Sequence, residues 1–487
     1  MNFLDNIVGL INPKAAVRRL QARAALAILD GQVRRYEAAG RGRRTNGLPK
    51  FDGSANVETA LDLVALRAGS RHMIRNNPYA RNAVRRIVTN TVGTGIQPSP
   101  KSKSKTRVKL VKELWKKWGE TKNCDFAGKK NFYGLTAMIM RAVVESGEVI
   151  VLKRRINTKN NSNPIRIQVL EADYLDHAKD IKQLSNGGYI TQGVEFDSND
   201  QIIGYWLFET HPGEYGYKES RFVEAENVLH IYDAERPGQV RGVPFISSAM
   251  LRLKDFDDYE DAEVVRQKIA ACFAAFVQDA DPDSSTSTSE SDMLERLEPG
   301  VIEHLPPGKT ISFASPPTTQ NYDGFSRKIL QGIAAGYGIT YEVLTGDLSN
   351  VNFSSGRMGW IEFHRQIEDW QYNMLIPMLC DEIWKWFVDG EVIASSLSIG
   401  DLTVDWTPPR RTMIDPVKET EGSKNQVRSG FVSWQEMVRQ YGYDPDQVLE
   451  EMKQDKEKFE EYGLVLDVDG TKVAANKAPI QATLATE

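Results

Sequence analysis

The residue types that carry catalysis or hold metals are dispersed in this chain of 487 residues. The six histidines stand at 72, 177, 211, 230, 304 and 364, without an HExxH, an HxH or a His/Cys grouping, so no metal-ligand spacing is present. "PPGKT" at 306–310 ends like a phosphate-binding loop, but the first glycine of that motif would fall on Glu303. "DPDSSTSTSESD", from Asp281, begins like a calcium loop, yet Thr286 stands where the sharp turn needs Gly and Asp292 where a bidentate Glu closes the site. There is no GxSxG to set up a nucleophilic serine. Asp255, Asp257, Asp258, Glu260, Asp261 and Glu263 crowd into nine positions, but on a helix they point around the axis rather than at one another as an acid–base pair. The expectation is no catalytic residue, no metal and no cofactor.

A different stretch asks for explanation. "LTGDLSNVNFSSGR", 344–357, joins two helical segments, is too long for a tight turn, and sets Asn350, Val351, Asn352, Phe353, Ser354 and Ser355 in a row. A lone aromatic stands among small neutral polar groups, and Ser354 or Ser355 is suited to cap the helix that follows.

The elements that must position this stretch follow from pattern and charge. Apolar residues make up 41% and charged residues 26%, as in an ordinary soluble protein of more than one compact part. The net charge of −5 argues against a chain that coats nucleic acid over its whole surface and leaves a local path open. Residues 1–50 hold ten Lys/Arg and three acids, whereas 444–487 hold eleven acids and five Lys, so the ends differ in sign. The basic end reads as a solvated arm or as a contact for an acidic partner or DNA. Cys124, Cys272 and Cys380 lack CxxC spacing, the last two in apolar helical context, which suggests reduced buried thiols in a cytoplasmic protein. No signal-peptide core and no run near about 18 apolar residues is present, so the expectation is neither secretion nor a membrane span.

Two helices joined at "NNPY" follow the arm, with Arg71, Arg75, Arg81, Arg85 and Arg86 on faces read as solvated. From Gly147 to Asp233, alternation and the "DSNDQ" turn predict an antiparallel hairpin sheet. Pro244 to about Gln278 reads as one helix of roughly 35 residues, about 50 Å long. A Ser/Thr/Asp-rich loop, short strands and a second helix succeed it, in which Gly332, Ala334, Ala335 and Gly336 would admit a close neighbour. Trp360, Phe363, Ile367, Trp370, Met374 and Met378 form the core face of a further helix that Pro377 should kink. Helices return in "VSWQEMVRQYG" and "DPDQVLEEMKQDKEKFEEYG".

Taken together, "LRAGSRHMIRNNPYA" with "VGTGI", "LHIYDAERPGQVRGVPFI" with "DFDDYEDAE", "IAAGYGITYEVLTGDLSNVNFSSGR" and "DWTPPRRTMIDPVKE" resemble the portal proteins of tailed bacteriophages, in particular the lambda-type group. The motifs span about 60–440. The resemblance implies an α+β, mainly helical portal fold of wing, stem, clip and crown, assembled as a ring, usually of twelve subunits. Such a ring sits at one vertex of the capsid, and double-stranded viral DNA is packaged and ejected through it without sequence specificity. On this chain it implies a basic arm (1–50), wing (51–243), first stem helix (244–278), clip (279–317) and second stem helix (318–339). A tunnel loop (340–354), a kinked wing helix and return (355–423), and a crown with its tail (424–487) complete it.

The stretch at Asn350–Ser355 would then project into the channel, reaching up to about 20 Å as an out-and-back loop of about 12 residues. Its Asn and Ser side chains would hydrogen-bond phosphates without strong charge, with Phe353 as an apolar bumper; burial at a subunit contact is the alternative. The acidic stem residues would repel DNA and favour sliding, or else face solvent or pair with Lys/Arg of a neighbour. Lacking a nucleotide site, the chain needs a separate motor, by resemblance the terminase large subunit. That motor, and later the head-completion or tail adaptor proteins, would dock on clip residues Glu290, Asp292, Glu295, Glu298, Glu303, His304 and Lys309. The wing would meet the major capsid protein and scaffold. The expected location is the virion, after assembly in the host cytoplasm, with no membrane partner. A monomeric scaffold or adaptor of virion assembly and a DNA-processing enzyme are the other classes left open.

Overall fold

The computed structural model describes residues 52–157, 162–214, 219–271, 275–279, 309–313, 322–395, 400–410 and 413–464. The chain divides into units Met1–Ser54 and Ala55–Glu487, and every element below belongs to the second. The basic arm therefore lies outside the described residues.

Helices α1 (Ala55–Asn76) and α2 (Pro78–Thr91) meet at the expected "NNPY" turn. The Asn77 side chain accepts hydrogen bonds from the amides of Tyr79 and Ala80, and Pro78 takes the first-turn position where no donor is needed. Strand β1 (Gln97–Lys101) pairs with a strand three hundred residues on, described below. Helix α3 (Lys105–Trp118) sinks Val111, Trp115 and Trp118, at i, i+4 and i+7, into the core. Helix α4 (Phe132–Ser146) is capped by Asn131 and ends at Gly147, whose φ of +87° is left-handed backbone. A Cβ at Gly147 would also strike the backbone of Gly242 and Val243.

The region 147–233 is antiparallel sheet, as the alternation predicts. Strands β2 (Glu148–Arg155) and β3 (Ile165–Glu171) pair from Val149↔Glu171 to Arg155↔Ile165. Strands β4 (Tyr189–Thr191), β5 (Val194–Phe196), β6 (Ile202–Phe208) and β7 (Ser220–Glu224) form a four-stranded meander. The "DSNDQ" turn joins β5 to β6, with Asp197 accepting from the amides of Asn199 and Gln201. Strand β8 (Val228–Tyr232) returns to the free edge of β2, giving the order β3-β2-β8. Strand β2 lies between two apolar clusters: Val149 and Val151 face the main core, Ile150 and Leu152 a smaller one with Leu175, Val194, Tyr205 and Leu207.

The single long helix expected over 244–278 is shorter. Residues 244–249 form turns (Ser247 N–H to Pro244 O 3.0 Å, Ala249 N–H to Ile246 O 2.8 Å), and helix α5 runs Met250–Ala271. Strand β9 (Ala275–Asp279) follows, paired antiparallel with β10 (Lys309–Phe313). An apolar run such as "AFV", 275–277, is readable as helix or strand, and here a β-rich partner, "KTISF", distant in sequence, decides it.

Helix α6 (Tyr322–Gly336) lies against α5, with the glycines expected to allow close approach at the contact: a Cβ on Gly336 would overlap that of Ala249, and one on Gly332 the guanidinium of Arg252. Helices α7 (Tyr341–Thr345) and α8 (Phe353–Asp369) follow, then a π-helical segment (Trp370–Cys380) and α9 (Asp381–Ser395). Pro377 lacks an amide, and the wider winding around it is the form the expected distortion takes. The predicted face holds: Phe363, Ile367, Trp370 and Met374 are buried, and Trp360 and Met378 pack against the core. Cys380 is buried here and Cys124 near α3. Burial raises both thiols, Cys124 to about 12, so they are protonated and inert. Cys272 lies outside the described residues.

Strand β11 (Thr403–Thr407) closes on β1, Gln97↔Thr407 to Lys101↔Thr403. Pro98 and Pro100 are tolerated in a two-stranded pair, where the missing donors can face outward. Helices α10 (Pro416–Arg428), α11 (Trp434–Gln440) and α12 (Pro445–Glu461) end the described chain; the last two match expectation, and α10 begins before the expected crown boundary.

Candidate DNA-channel loop and its supports

The loop singled out in the sequence grows from a rigid base. Tyr259 of α5 stacks on Tyr322 and meets Phe325 edge-on, centroids 6.0 and 4.9 Å apart. After α6, Tyr337 and Ile339 are buried and Gly338 turns the chain with a φ of +70°. Thr340 caps α7, and Gly346 ends it in left-handed backbone. Asn82 of α2 donates to the Leu344 carbonyl at 2.7 Å, tying the base of the loop to that helix.

The loop itself is shorter than expected. Its irregular part is 346–352, because α7 takes 341–345 and α8 starts at Phe353. The cap of α8 is Asn352, whose side chain accepts from the Ser355 amide at 2.8 Å while the Ser355 hydroxyl accepts from the Asn352 amide at 3.2 Å. Neither Ser354 nor Ser355 is the cap; a capping box makes Phe353, Ser354 and Ser355 the first turn of the helix. Seven residues reach only about 12 Å as an out-and-back loop. Asp347 accepts from the Ser349 hydroxyl and amide and from Tyr341 Oη, bonds that hold its carboxyl below the usual range and fix the turn.

What the loop presents is mixed. Asn350, Asn352, Ser354 and Ser355 are exposed and Val351 is half-buried. Phe353 is 57% exposed, and the structure adds Leu348 at 66% and Met358 at 73%. Leu348 precedes the predicted set and Met358 lies one helical turn beyond it; their apolar character in a polar stretch was the only available signal.

The six acids of α5 do not act as one set. Asp255, Asp258 and Asp261 are exposed, with Asp258 paired to Lys254 at 2.5 Å. Asp257 accepts from Asn77 Nδ2 at 3.0 Å, and Glu263 pairs with Arg266 at 2.5 Å. Glu260 faces Tyr322, and burial, with Asp257 beside it, raises its carboxyl above the ordinary range. Of the expected clip residues, Glu290, Asp292, Glu295, Glu298, Glu303 and His304 lie outside the described residues, and Lys309 opens β10.

Sequence reasoning missed a buried ionic cluster where α1, β2 and β8 meet. Glu148, at the start of β2, accepts from Arg241 Nε at 2.9 and 3.0 Å and Nη2 at 2.5 Å, from the Gly242 amide at 2.9 Å, and contacts His230 Nε2 at 2.8 Å. Arg67 Nη1 stands 3.6 Å from the same carboxylate. Glu148 and Arg241 are wholly buried and Arg67 is 1% exposed. Burial alone would raise the Glu148 carboxyl, but Arg241 and His230 outweigh it and hold it well below its ordinary range. Burial keeps the His230 ring neutral, lowering its pKa against the pull of Glu148. The four residues come from four separate segments, so no local spacing announces them. Of the arginines expected to be solvated, Arg71 instead bridges Glu171 (3.2 Å) and Asp173 (2.5 Å), while Arg75, Arg81, Arg85 and Arg86 are exposed. Glu171, Asp173 and His211 lie close enough to share a metal ion, but the Arg71 guanidinium already fills the role of cation there.

The sequence profile described as phage portal protein, lambda family, matches residues 41–371. A protein named "Probable portal protein" from Halomonas phage phiHAP-1 is 27% identical over 85% of this chain and 84% of its own length. Portal protein B of Escherichia phage lambda is 20% identical over 81% of this chain and 84% of its own. Among solved structures, a chain of the neck of a native GTA particle, computed with C12 symmetry, covers 79% of this chain and 94% of its own at 13% identity and a TM-score of 0.49.

Proposed function

The chain belongs to the lambda family of phage portal proteins, and from that membership we propose that loop 346–352 and the first turn of α8 line a DNA channel formed by a ring of these chains. The α+β fold and the role as packaging channel and head-tail connector are those of the family. The protein is a virion component. It is a structural protein rather than a catalyst.

One observation carries the channel-loop reading: apolar and neutral polar side chains, Leu348, Asn350, Asn352 and Phe353, are exposed together on a short segment braced at both ends by capped helices. Neutral donors and apolar groups touch a duplex without the counterion release that makes basic surfaces grip it, so DNA slides past. The exposed Asp255, Asp258 and Asp261 of α5 extend this logic, repelling phosphates where they face the channel. A ring of twelve, docking of the terminase large subunit and later of adaptor proteins through residues 279–317, and seating of the wing against capsid protein and scaffold complete the reading. The test is native mass spectrometry with negative-stain imaging, followed by DNA packaging into proheads, for the parent and for a variant carrying Leu348→Ala, Asn350→Ala and Phe353→Ala. Rings in both, with DNA per particle reduced severalfold in the variant, are expected. Unchanged packaging would remove the loop from the DNA path, loss of rings would make it a subunit contact, and a parent that stays monomeric would favour a scaffold protein.

A further inference from the structure

Residues 101–130 hold eleven Lys/Arg against three acids, an excess of eight positive charges in a protein of net charge −5. Helix α3 organises much of it. Val111, Trp115 and Trp118 fix one face in an aromatic cluster, where Trp115 meets Phe132 and Phe387 edge-on, each with centroids 5.1 Å away. On the adjoining face Lys105, Lys109, Lys112 and Lys116 recur at i, i+4, i+7 and i+11, a stripe about 16 Å long. Lys112 is held by Asp444 at 2.7 Å; Lys105, Lys109 and Lys116 are exposed and form no ion pair among the described residues. Lys129 and Lys130 are exposed in the same state and extend the patch, whereas Lys117 lies on the Leu110 side of the helix. The loop carrying Lys129 and Lys130 is built around Asp125, which accepts from the amides of Ala127, Lys129 and Lys130, and is tied back to the end of α3 by the Phe132 amide on Gly119 O at 2.8 Å.

We propose that this face of α3 and the 125–131 loop is a second contact for double-stranded DNA, outside the channel loop, that binds the phosphate backbone without reading sequence. The choice of DNA rests on the portal reading, which brings the duplex to this protein. It also rests on composition: protein interfaces are depleted in lysine and centred on apolar or aromatic anchors, whereas phosphate binding needs only closely spaced cations. No large apolar side chain is exposed on the stripe itself; Leu110, 46% exposed, points to the other side of the helix, and Phe126 of the loop, 48% exposed, has the Arg154 guanidinium 6.0 Å from its ring. Over about 16 Å one DNA strand offers roughly five phosphates, at about 3.4 Å of axis each, a density that the stripe and its flanking lysines match. The face would grip where the channel loop slides, retaining DNA against the wing.

The experiment measures binding of a fluorescent 30-base-pair duplex by anisotropy between 50 and 200 mM salt. It compares the full-length protein with a variant bearing Lys105→Gln, Lys109→Gln, Lys116→Gln and Lys129→Gln, and with an arm variant bearing Arg18→Gln, Arg19→Gln, Arg34→Gln and Arg35→Gln. Native mass spectrometry of each sample reports assembly separately, so failure of the parent to form rings bears on the portal reading and not on this one. Loss of up to four phosphate contacts at about 0.9 each should flatten the log–log salt slope by up to about 3.6 and weaken binding at least tenfold at the lowest salt. A slope within 1 of the parent's and affinity within twofold would overturn the proposal, as would loss of all binding in the arm variant alone. Unchanged DNA binding with loss of assembly in the α3 variant would also overturn it, assigning the patch to an acidic surface of a second copy.

Discussion

Replacing Glu148 by Gln tests the buried cluster most directly. The wild-type carboxylate takes three contacts from Arg241, one from the Gly242 amide and one from His230, with Arg67 3.6 Å away. Glutamine keeps the shape but removes the one carboxylate that, among the described residues, contacts both buried guanidinium groups, and turns one acceptor into a donor facing other donors. Breaking a buried ion pair by removing one partner costs about 3–5 kcal/mol, and here one acid serves both arginines, so a loss of about 4 kcal/mol at pH 7.5 is expected. Urea unfolding followed by tryptophan fluorescence measures it, and a change below about 1 kcal/mol would refute the claim that the cluster holds α1, β2 and β8 together. The pH dependence carries a sign. Both Glu148 and His230 have folded pKa values below their ordinary ones, so each contributes stability that is present at higher pH and lost as pH falls. For His230 the loss begins below about pH 6.5, for Glu148 below about 4.3. Stability should therefore fall between pH 7.5 and 5.5, and His230→Gln should flatten that limb while leaving the more acidic one.

Gly336→Ala forces a methyl into Ala249 at the α5–α6 contact and should destabilise by about 1–3 kcal/mol, read from the same unfolding curves. Asn352→Ala removes the capping box of α8 and should cost about 1 kcal/mol, seen as faster amide exchange at 353–356 with little change elsewhere. Trp115→Ala opens the aromatic cluster that seats α3 and should cost about 3–5 kcal/mol; an unchanged thermal midpoint would show that Trp384, Phe387 and Trp406 close the gap.

Much of the architecture was legible because it is locally encoded. Asn77 with Pro78 stops one helix and starts another, "DSNDQ" turns a hairpin, and the period of Phe363, Ile367, Trp370 and Met374 marks a buried face whatever it packs against. The motifs from about 60 to 440 likewise carried the family by themselves, and the profile match over 41–371 bears this out. Where partners are distant the sequence was mute or misleading. "AFV", 275–277, continues a helix by its own composition and becomes strand only because "KTISF" pairs with it; the loop at 346–352 lost residues to helices at both ends through caps whose strength depends on the seated helices. The exposure of Phe353, the division of the α5 acids into exposed and engaged groups, and the meeting of Arg67, Glu148, His230 and Arg241 are tertiary facts. Charge and burial are settled by what lies across the contact, and residues 93 and 174 positions apart, as Glu148–Arg241 and Arg67–Arg241 are, become neighbours only when the helices and sheet around them have folded together.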